Sequence, residues 1–568
     1  MPLDKETLDL ARKFAVKNAV DYGTAKEGPI IAKVLAKYPG LKAQMNELAS
    51  SVSRIVKEVN SLARSELEAE YSRHAEEFEG IEKKKAELSS RHRFEVNGAE
   101  SGKFATRFPP EPSGYMHIGH AKPLFIEDEL RKRYSGKLFL YFDDTNPDNE
   151  KQEFVDAFKE DLRWLGIEFD RAYFASDNIP MLYDFARKAI AKGGAYVCTC
   201  SADEIKENRQ EGLECRHKRQ ATEESMRLWE AMLLGNFGDG EAVLRWNGDM
   251  KAENTSLRDP TFFRIKRTPH YRQGSKYHVW PNYDFCTPII DSTNGITDVV
   301  RSKEYEMRDQ LYFSVLELLG LEKPRISSIS RLEIANNLTS KRRIRELIAK
   351  KLISGWDDPR LVTIRALRRR GITAQAIREL ALSSGMGKSE SVYGIEALLN
   401  INRKIVSKSA KSLPFVENPV EMRVSGMPSG SSNGDYGNYK QNGELFINAM
   451  DGKILRKGDT VRLGGAFDVT IKDTGKAISA EYAGSGSVEG RERLHRLEWI
   501  AKDDAVKCEL SLIGDLLNGE EFNAQSIKTI KGYADARASE LEQGEIVQFS
   551  KLGYFKLDDR KTMSFISL

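Results

Sequence analysis

Fourteen residues constrain this chain more than any other part of it: Arg107-Phe108-Pro109-Pro110-Glu111-Pro112-Ser113-Gly114-Tyr115-Met116-His117-Ile118-Gly119-His120. A short apolar run precedes them, and Ala121-Lys122-Pro123-Leu124-Phe125-Ile126-Glu127-Asp128-Glu129-Leu130 reads as a helix. The prolines and glycines between leave one order of elements: strand, tight loop, helix. A helix start presents unpaired N–H groups and a partial positive charge, both suited to phosphate. Gly119 permits close approach to the backbone, and His117 and His120 can donate hydrogen bonds to phosphate oxygens. The plain alternative is a proline-rich turn with two surface histidines. Here the proline, glycine and helix contexts agree on a phosphate site.

At 568 residues the chain is too long for one core, and several domains are expected. Apolar content of 40% beside 30% charged residues fits a soluble globular protein, and no window approaches the apolar length of a membrane helix. Met1-Pro2-Leu3-Asp4-Lys5-Glu6 is too charged for a signal peptide, so a cytoplasmic protein is expected. Five cysteines make no disulfide scaffold, and a net charge of +3 confines any nucleic-acid footprint to a local patch.

From Lys5 to Lys85 the spacing of Leu8, Ala11, Phe14 and Ala15, and of Leu48, Val52, Ile55, Val56, Val59 and Leu62, predicts helices that pack rather than catalyse. Arg91 to Lys103 reads as a linker. From Phe104 to Cys200 strand and helix patterns alternate, predicting a parallel α/β sheet. Leu138-Phe139-Leu140-Tyr141-Phe142 is a buried-strand run ending in Asp143-Asp144, where carboxylates can hold an ammonium group. Alternation weakens over Ser201–Lys276, resumes at Val279, and passes after Ile344 into a helical, arginine-rich region. Beyond Leu413 glycines and short alternating runs predict β-barrel or sandwich material, with a Gly/Ser/Asn-rich loop over Gly426–Gly443.

The second diagnostic stretch is Ser330-Arg331-Leu332 with Asn337-Leu338-Thr339-Ser340-Lys341-Arg342-Arg343-Ile344. Alone it reads as a basic helix start; a mobile lysine also suits the charge that develops when ATP activates a carboxylate. Together, Pro-x-Pro-Ser-Gly-x-x-His-Ile-Gly-His and Thr339-Ser340-Lys341-Arg342 resemble the two signatures of class I aminoacyl-tRNA synthetases, in the glutamyl/glutaminyl branch of archaea and eukaryotes. Thr339 stands where that family usually has methionine.

The resemblance, specific over Arg107–Arg370, implies a multidomain α/β plus all-β fold. Its parts are a helical N-terminal appendage (1–90), a Rossmann-like catalytic domain in two halves (100–200 and 277–345) and an inserted acceptor-end module (201–276). A helical tRNA-contacting region (346–410) and a β-barrel anticodon-binding region (411–568) follow. It implies His117, His120 and Lys341 as catalytic, and Glu111, Ser113, Gly119, Ala121, Lys122, Ser302, Arg331, Leu332 and Ser340 around ATP, with Mg²⁺ on the phosphates. Asp143 would hold the substrate ammonium, with Tyr283 and Arg107 reaching its side chain. Arg301 favours glutamate, because a γ-carboxylate demands a cation and glutaminyl members carry a small uncharged residue there. Its alternative is a surface salt bridge with Glu304 or Glu306.

Between Lys341 and Arg370 eleven Lys/Arg stand against three acids, a surplus of +8 suited to a phosphate backbone. Arg342, Arg343, Arg360, Arg368 and Arg369 are the RNA contacts expected there; Arg264, Lys266, Arg267 and Arg272 in the inserted module are further candidates. Cys198-Thr199-Cys200 with Cys215-Arg216-His217 form a C-x-C…C-x-H pattern, either tetrahedral zinc or four half-buried side chains without metal. Cys286 and Cys508 read as structural. The implied partners are L-glutamate and tRNA(Glu), with tRNA(Gln) left open as a second acceptor. The implied reaction is ATP-dependent attachment of glutamate to the tRNA 3′ end, and the alternatives are glutaminyl transfer or a catalytically silent tRNA-binding scaffold.

Overall fold

The computed structural model describes residues 3–22, 24–62, 66–67, 70–71, 94–427, 430–431, 438–439, 443–464, 467–475, 477–484 and 494–568. The ends of the helical expectation (72–85) and of the linker (91–93), and most of the loop at 426–443, lie outside them. Residues 1–95 and 96–568 form two separate compact units.

In the first unit three helices, Lys5–Tyr22, Glu27–Lys37 and Met45–Asn60, bury one face each. Ala11, Ala15, Val16, Ile30, Val34, Leu48, Val52 and Val59 form its core at the helical spacing read from the sequence.

The second unit opens with three parallel strands, β1 (Ala105–Phe108), β2 (Lys137–Phe142) and β3 (Arg171–Phe174), in the order β1-β2-β3. Their crossovers are the helices Ile118–Arg133 and Gln152–Trp164. An antiparallel sheet interrupts the alternation: β4 (Ala195–Cys198), β5 (Val243–Trp246), β6 (Thr261–Ile265) and β7 (Val279–Pro281) pair in sequence order. The module thus begins and ends on strands outside the Ser201–Lys276 segment where alternation weakens. Tyr283 starts the helix Tyr283–Thr293, two residues after the end of β7. Parallel pairing resumes with β8 (Asp298–Ser302) and β9 (Arg325–Ile329), joined by the helix Asp309–Leu319. The Thr297 N–H donates to the Ala105 carbonyl at 2.9 Å, setting β8 along the free edge of β1. The carboxyl ends of β1, β2 and β8 therefore face one crevice, the place where open α/β sheets bind ligands.

Helices Lys341–Ala349, Ile364–Arg370, Ala374–Ser383 and Ile395–Val406 follow. The β-rich tail is two seven-stranded sheets, one nested in the other's connectivity. Strands Lys411–Leu413 and Phe415–Glu417 begin one sheet, Pro419–Ala501 builds the second, and Ala505–Ser567 returns to complete the first. Each encloses its own apolar core, one around Trp499 and Met422, the other around Phe549 and Leu510. Among the described residues no helix is long and apolar enough to cross a membrane.

Candidate active site

The loop after β1 is held at fixed points. The Asp143 N–H donates to the Pro110 carbonyl (3.1 Å), Lys151 N–H to Pro112 (3.2 Å), and Ile118 N–H to Val362 (2.9 Å). The two signature histidines then cap the helix that follows. His117 Nδ1 accepts from Gly119 N–H (3.1 Å), His120 Nδ1 accepts from His117 N–H (3.2 Å), and the rings lie 3.9 Å apart. His120 N–H itself donates to the His117 carbonyl at 2.9 Å. This corrects the expectation of free helix N–H groups: the first three are taken. What the helix start offers a phosphate instead is imidazole. An Nδ1 that accepts from a backbone N–H leaves the proton on Nε2, so each neutral ring is an Nε2–H donor. Burial, with Lys341 and Arg331 nearby, pushes His117 down to about 4, and burial with His117 and Lys341 holds His120 well below its ordinary value. Gly119 is required here, because a Cβ would stand 2.9 Å from His117 Cε1.

Lys341 folds onto the same loop. Its ammonium donates to Ser113 Oγ at 2.5 Å and lies 3.4 Å from Glu111 Oε2, while the Arg345 guanidinium donates to the Ser113 carbonyl at 2.7 Å. Gly114 gives the lysine its path; a Cβ would come within 2.9 Å of Lys341 Cδ. Ser302 Oγ accepts from Arg331 Nε at 3.4 Å, and Arg331 also pairs with Glu304 at 3.1 Å. Lys122 and Ala121 are fully buried behind this wall. The Lys122 ammonium donates to Ser330 Oγ at 2.6 Å and burial lowers it to about 8; Ser330 in turn lines the cavity.

A cavity of about 820 Å³ unites these groups with the amino-acid candidates. Glu111, His117, Gly119, His120, Ser302, Arg331, Leu332 and Lys341 line one part of it, and Arg107, Asp143, Tyr283 and Arg301 another. Ser340 stands at the N-cap position of the Lys341 helix, just outside the cavity and without a side-chain capping bond. Arg107 is 1% exposed and paired bidentately with Asp291 (2.8 and 3.1 Å), leaving its Nη1 without a partner among the described residues. Arg301 donates to Tyr283 Oη at 3.1 Å and pairs with Asp309, neither Glu304 nor Glu306; its Nε likewise has no partner. Tyr283 Oη accepts from Arg301 and so keeps its own proton to donate. This end of the wall thus carries three donors. Across from it, Asp143 Oδ1 is an acceptor without a donor.

Sequence reading missed Glu150, Tyr305 and Arg308, and it set Arg264 on RNA. All four line this cavity. Arg264 donates to the Thr145 carbonyl (2.9 Å), the Pro281 carbonyl (2.6 Å) and Asn282, tying the end of β2 to the inserted module. Lys266 pairs with Asp148 and Arg272 with Asp177. The basic stretch also differs from its expectation. Arg360 is buried, held by Asp358 (2.8 Å), the Leu352 carbonyl (2.9 Å) and Ser526 (3.2 Å). Arg369 is bidentate to Asp558 (3.0 and 2.8 Å) in the barrel. Both are tied to the β-rich tail, and Arg360, unlike Arg369, is too buried to meet the RNA expected of it. Arg342 remains exposed, Arg368 pairs on the surface with Glu160, and Arg343 donates to the Glu520 carbonyl.

Cys198, Cys200, Cys215 and His217 converge with all ligand atoms within 4.8 Å of one another. Tetrahedral zinc, with Zn–S about 2.3 Å and Zn–N about 2.0 Å, sets sulfurs about 3.8 Å apart and sulfur from nitrogen about 3.5 Å. Here Cys198 Sγ and Cys215 Sγ are 3.8 Å apart, and Cys200 Sγ and His217 Nδ1 3.5 Å. Thr199 Oγ1 holds His217 Nε2 at 3.1 Å, and the buried Arg245 guanidinium lies 3.9 and 3.8 Å from Cys198 and Cys215. The cluster fits the ion. Cys286 and Cys508 are buried elsewhere.

A crevice at the carboxyl ends of parallel strands, with a histidine–lysine end and an arginine–tyrosine end, defines an α/β protein of the nucleotide-binding kind. Residues 103–407 match the catalytic domain of the class I tRNA synthetases of the E and Q type, and residues 496–558 match their anticodon-binding domain. The chain belongs to this family. It is 36% identical over 573 residues to the glutamate–tRNA ligase of Nitrosopumilus maritimus, covering 99% of this chain and 100% of the relative. The glutamate–tRNA ligase of Pyrococcus furiosus is 34% identical over 571 residues, 97% of each chain.

Burial, with Glu111 next to it, raises Asp143 to about 7. A carboxylate raised in the free enzyme holds an ammonium only above that pH. The kcat/KM for the amino acid therefore falls as pH drops from about 8 to about 6, while the histidines stay neutral throughout. Asp143→Asn lowers kcat/KM at every pH and flattens this limb; a limb that persists in the variant assigns it to another group.

Proposed function

We propose that this chain attaches L-glutamate to the 3′ end of tRNA(Glu), using MgATP. The observation that carries the reading is the donor set at the Arg107, Tyr283 and Arg301 end of the cavity. A γ-carboxylate accepts at both oxygens. A carboxamide must turn its own NH₂ toward one of these donors, and a buried donor left unpaired costs about 1–3 kcal/mol. Arginine holds its charge throughout, so the preference does not depend on pH.

Asp143 takes the ammonium, placing the α-carboxylate toward the phosphate end. The α-carboxylate oxygen attacks the α-phosphorus of ATP, forming the acyl phosphate bond as pyrophosphate leaves. Nε2–H of His117 and His120 and the Lys341 ammonium meet the charge that develops on the phosphates, with Glu111, Ser113, Gly119, Ser302, Arg331 and Leu332 around the nucleotide. Ser340 begins the lysine helix, and Ala121 and Lys122 support the wall from behind. A terminal ribose hydroxyl of the tRNA then attacks the glutamyl carbonyl and AMP departs. No side chain is a nucleophile; position and electrostatics supply the rate. Arg342, Arg343 and Arg368 face the acceptor's phosphates, whereas Arg360 and Arg369 act by fixing the barrel.

Cys198, Cys200, Cys215 and His217 would hold zinc, tying the end of β4 to the short turn at Arg216–Arg219 beyond the helix Ala202–Glu211, with Arg245 offsetting the thiolates. Four protein ligands would leave no position for substrate, so the ion would serve structure.

Replacing Arg301 with alanine lowers kcat/KM for glutamate at least about 100-fold and narrows its lead over glutamine. Charging of tRNA(Glu) transcripts with each labelled amino acid reads this, and an unchanged preference removes the argument. Metal analysis of purified protein is expected to give about one zinc per chain, lost in Cys215→Ser together with thermal stability. A metal-free wild type of equal stability contradicts the zinc site.

A further inference from the structure

Both guanidiniums of the amino-acid pocket are steered from behind by one helix. Asp309 and Tyr312, three residues apart on Asp309–Leu319, share a face. Asp309 pairs with Arg301. The Tyr312 hydroxyl donates to Asp291 Oδ2 at 2.9 Å, and Asp291 is the carboxylate that grips Arg107. The face of the same tyrosine ring lies 5.2 Å from the Arg301 guanidinium. Tyr312 is 2% exposed and is not part of the cavity wall, so it touches no substrate.

We infer that Tyr312 is a specificity-determining positioning residue, aiming the Arg107 and Arg301 donors together at the substrate's side-chain terminus. This rests on the glutamate reading of the cavity and extends it to a residue outside the wall. The physical reason lies in how a buried guanidinium is oriented. Asp291 is fully buried, and its Oδ2 accepts from both Arg107 Nη2 (3.1 Å) and Tyr312. The tyrosine proton fixes the carboxylate plane, the carboxylate plane fixes the guanidinium plane, and that plane sets where the unpartnered Nη1 points. On its other side the ring supports Arg301 through a cation–π contact, leaving Arg301 to be turned by Asp309 and Tyr283. One side chain therefore fixes the plane of one guanidinium, on β1, and underlies a second, on β8.

Tyr312→Phe removes the hydroxyl and keeps the ring. The expected result is a KM for glutamate raised about tenfold and a glutamate-over-glutamine preference reduced by a similar factor. The KM for ATP and kcat at saturating glutamate stay within about twofold, since the phosphate end is untouched. Tyr312→Leu removes the ring as well and is expected to raise the glutamate KM further; melting of both variants shows that they fold. An unchanged glutamate KM in Tyr312→Phe overturns the inference, as do equal losses in glutamate KM, ATP KM and kcat. Wild-type charging is the control. If the wild type does not charge glutamate, the reading of the cavity itself fails; if it does and Tyr312→Phe matches it, only the role of Tyr312 fails.

Discussion

The site depends on a guanidinium taken out of water. Arg107 lies in the middle of the sheet with 1% of its surface exposed, and Asp291, 184 residues later in sequence, meets it in a two-pronged pair. Removing one partner of such a pair leaves a bare buried charge, which costs about 3–5 kcal/mol, so neither can drift. The pair joins β1 to the helix after the inserted module, and so brings the two catalytic halves into register. The orientation of Arg107 toward the cavity follows from that bond. Arg301 repeats the arrangement on β8, with Asp309 behind it. Each positive charge has its own counter-ion, so the cavity does not select an acid by surplus charge. In the proposed function it selects by the donors left over, Arg107 Nη1 and Arg301 Nε, after the counter-ions are served.

The phosphate end uses a different economy of charge. Its two imidazoles are neutral because they are buried beside Lys341, and backbone N–H groups at their Nδ1 atoms leave the proton on Nε2. They can therefore donate from Nε2 without repelling Lys341, whose ammonium reaches Ser113 Oγ on the same loop. The lysine arrives from the far half of the domain, so closing this contact assembles the nucleotide cradle from both halves at once.

Much of this was legible in the sequence, where the information is local. Proline and glycine around Ser113 and Gly119 forced the loop, and the apolar run 138–142 with two aspartates at its end marked a strand and its binding edge. The glycine-rich tail announced β structure. What was illegible was set by distance. Nothing near Arg107 names Asp291, and nothing near Arg369 names Asp558, which turns an apparent RNA contact into a strut for the barrel. Arg264 read as basic surface because its partners, the Thr145 and Pro281 carbonyls, come together only when the inserted sheet folds. The nesting of one barrel inside the connectivity of the other likewise has no local mark, since strands before and after residues 419–501 look alike. The histidines were found for the right reason and given the wrong geometry: their rings fill the helix start that the motif seemed to leave open.

The most direct measurement is a crystal structure of the protein with glutamate or a stable glutamyl-adenylate analogue. The account requires the γ-carboxylate oxygens within hydrogen-bonding distance of Arg107 Nη1 and Arg301 Nε, with the ammonium on Asp143. A γ-carboxylate seated away from both guanidiniums, or an ammonium bound elsewhere, would contradict it.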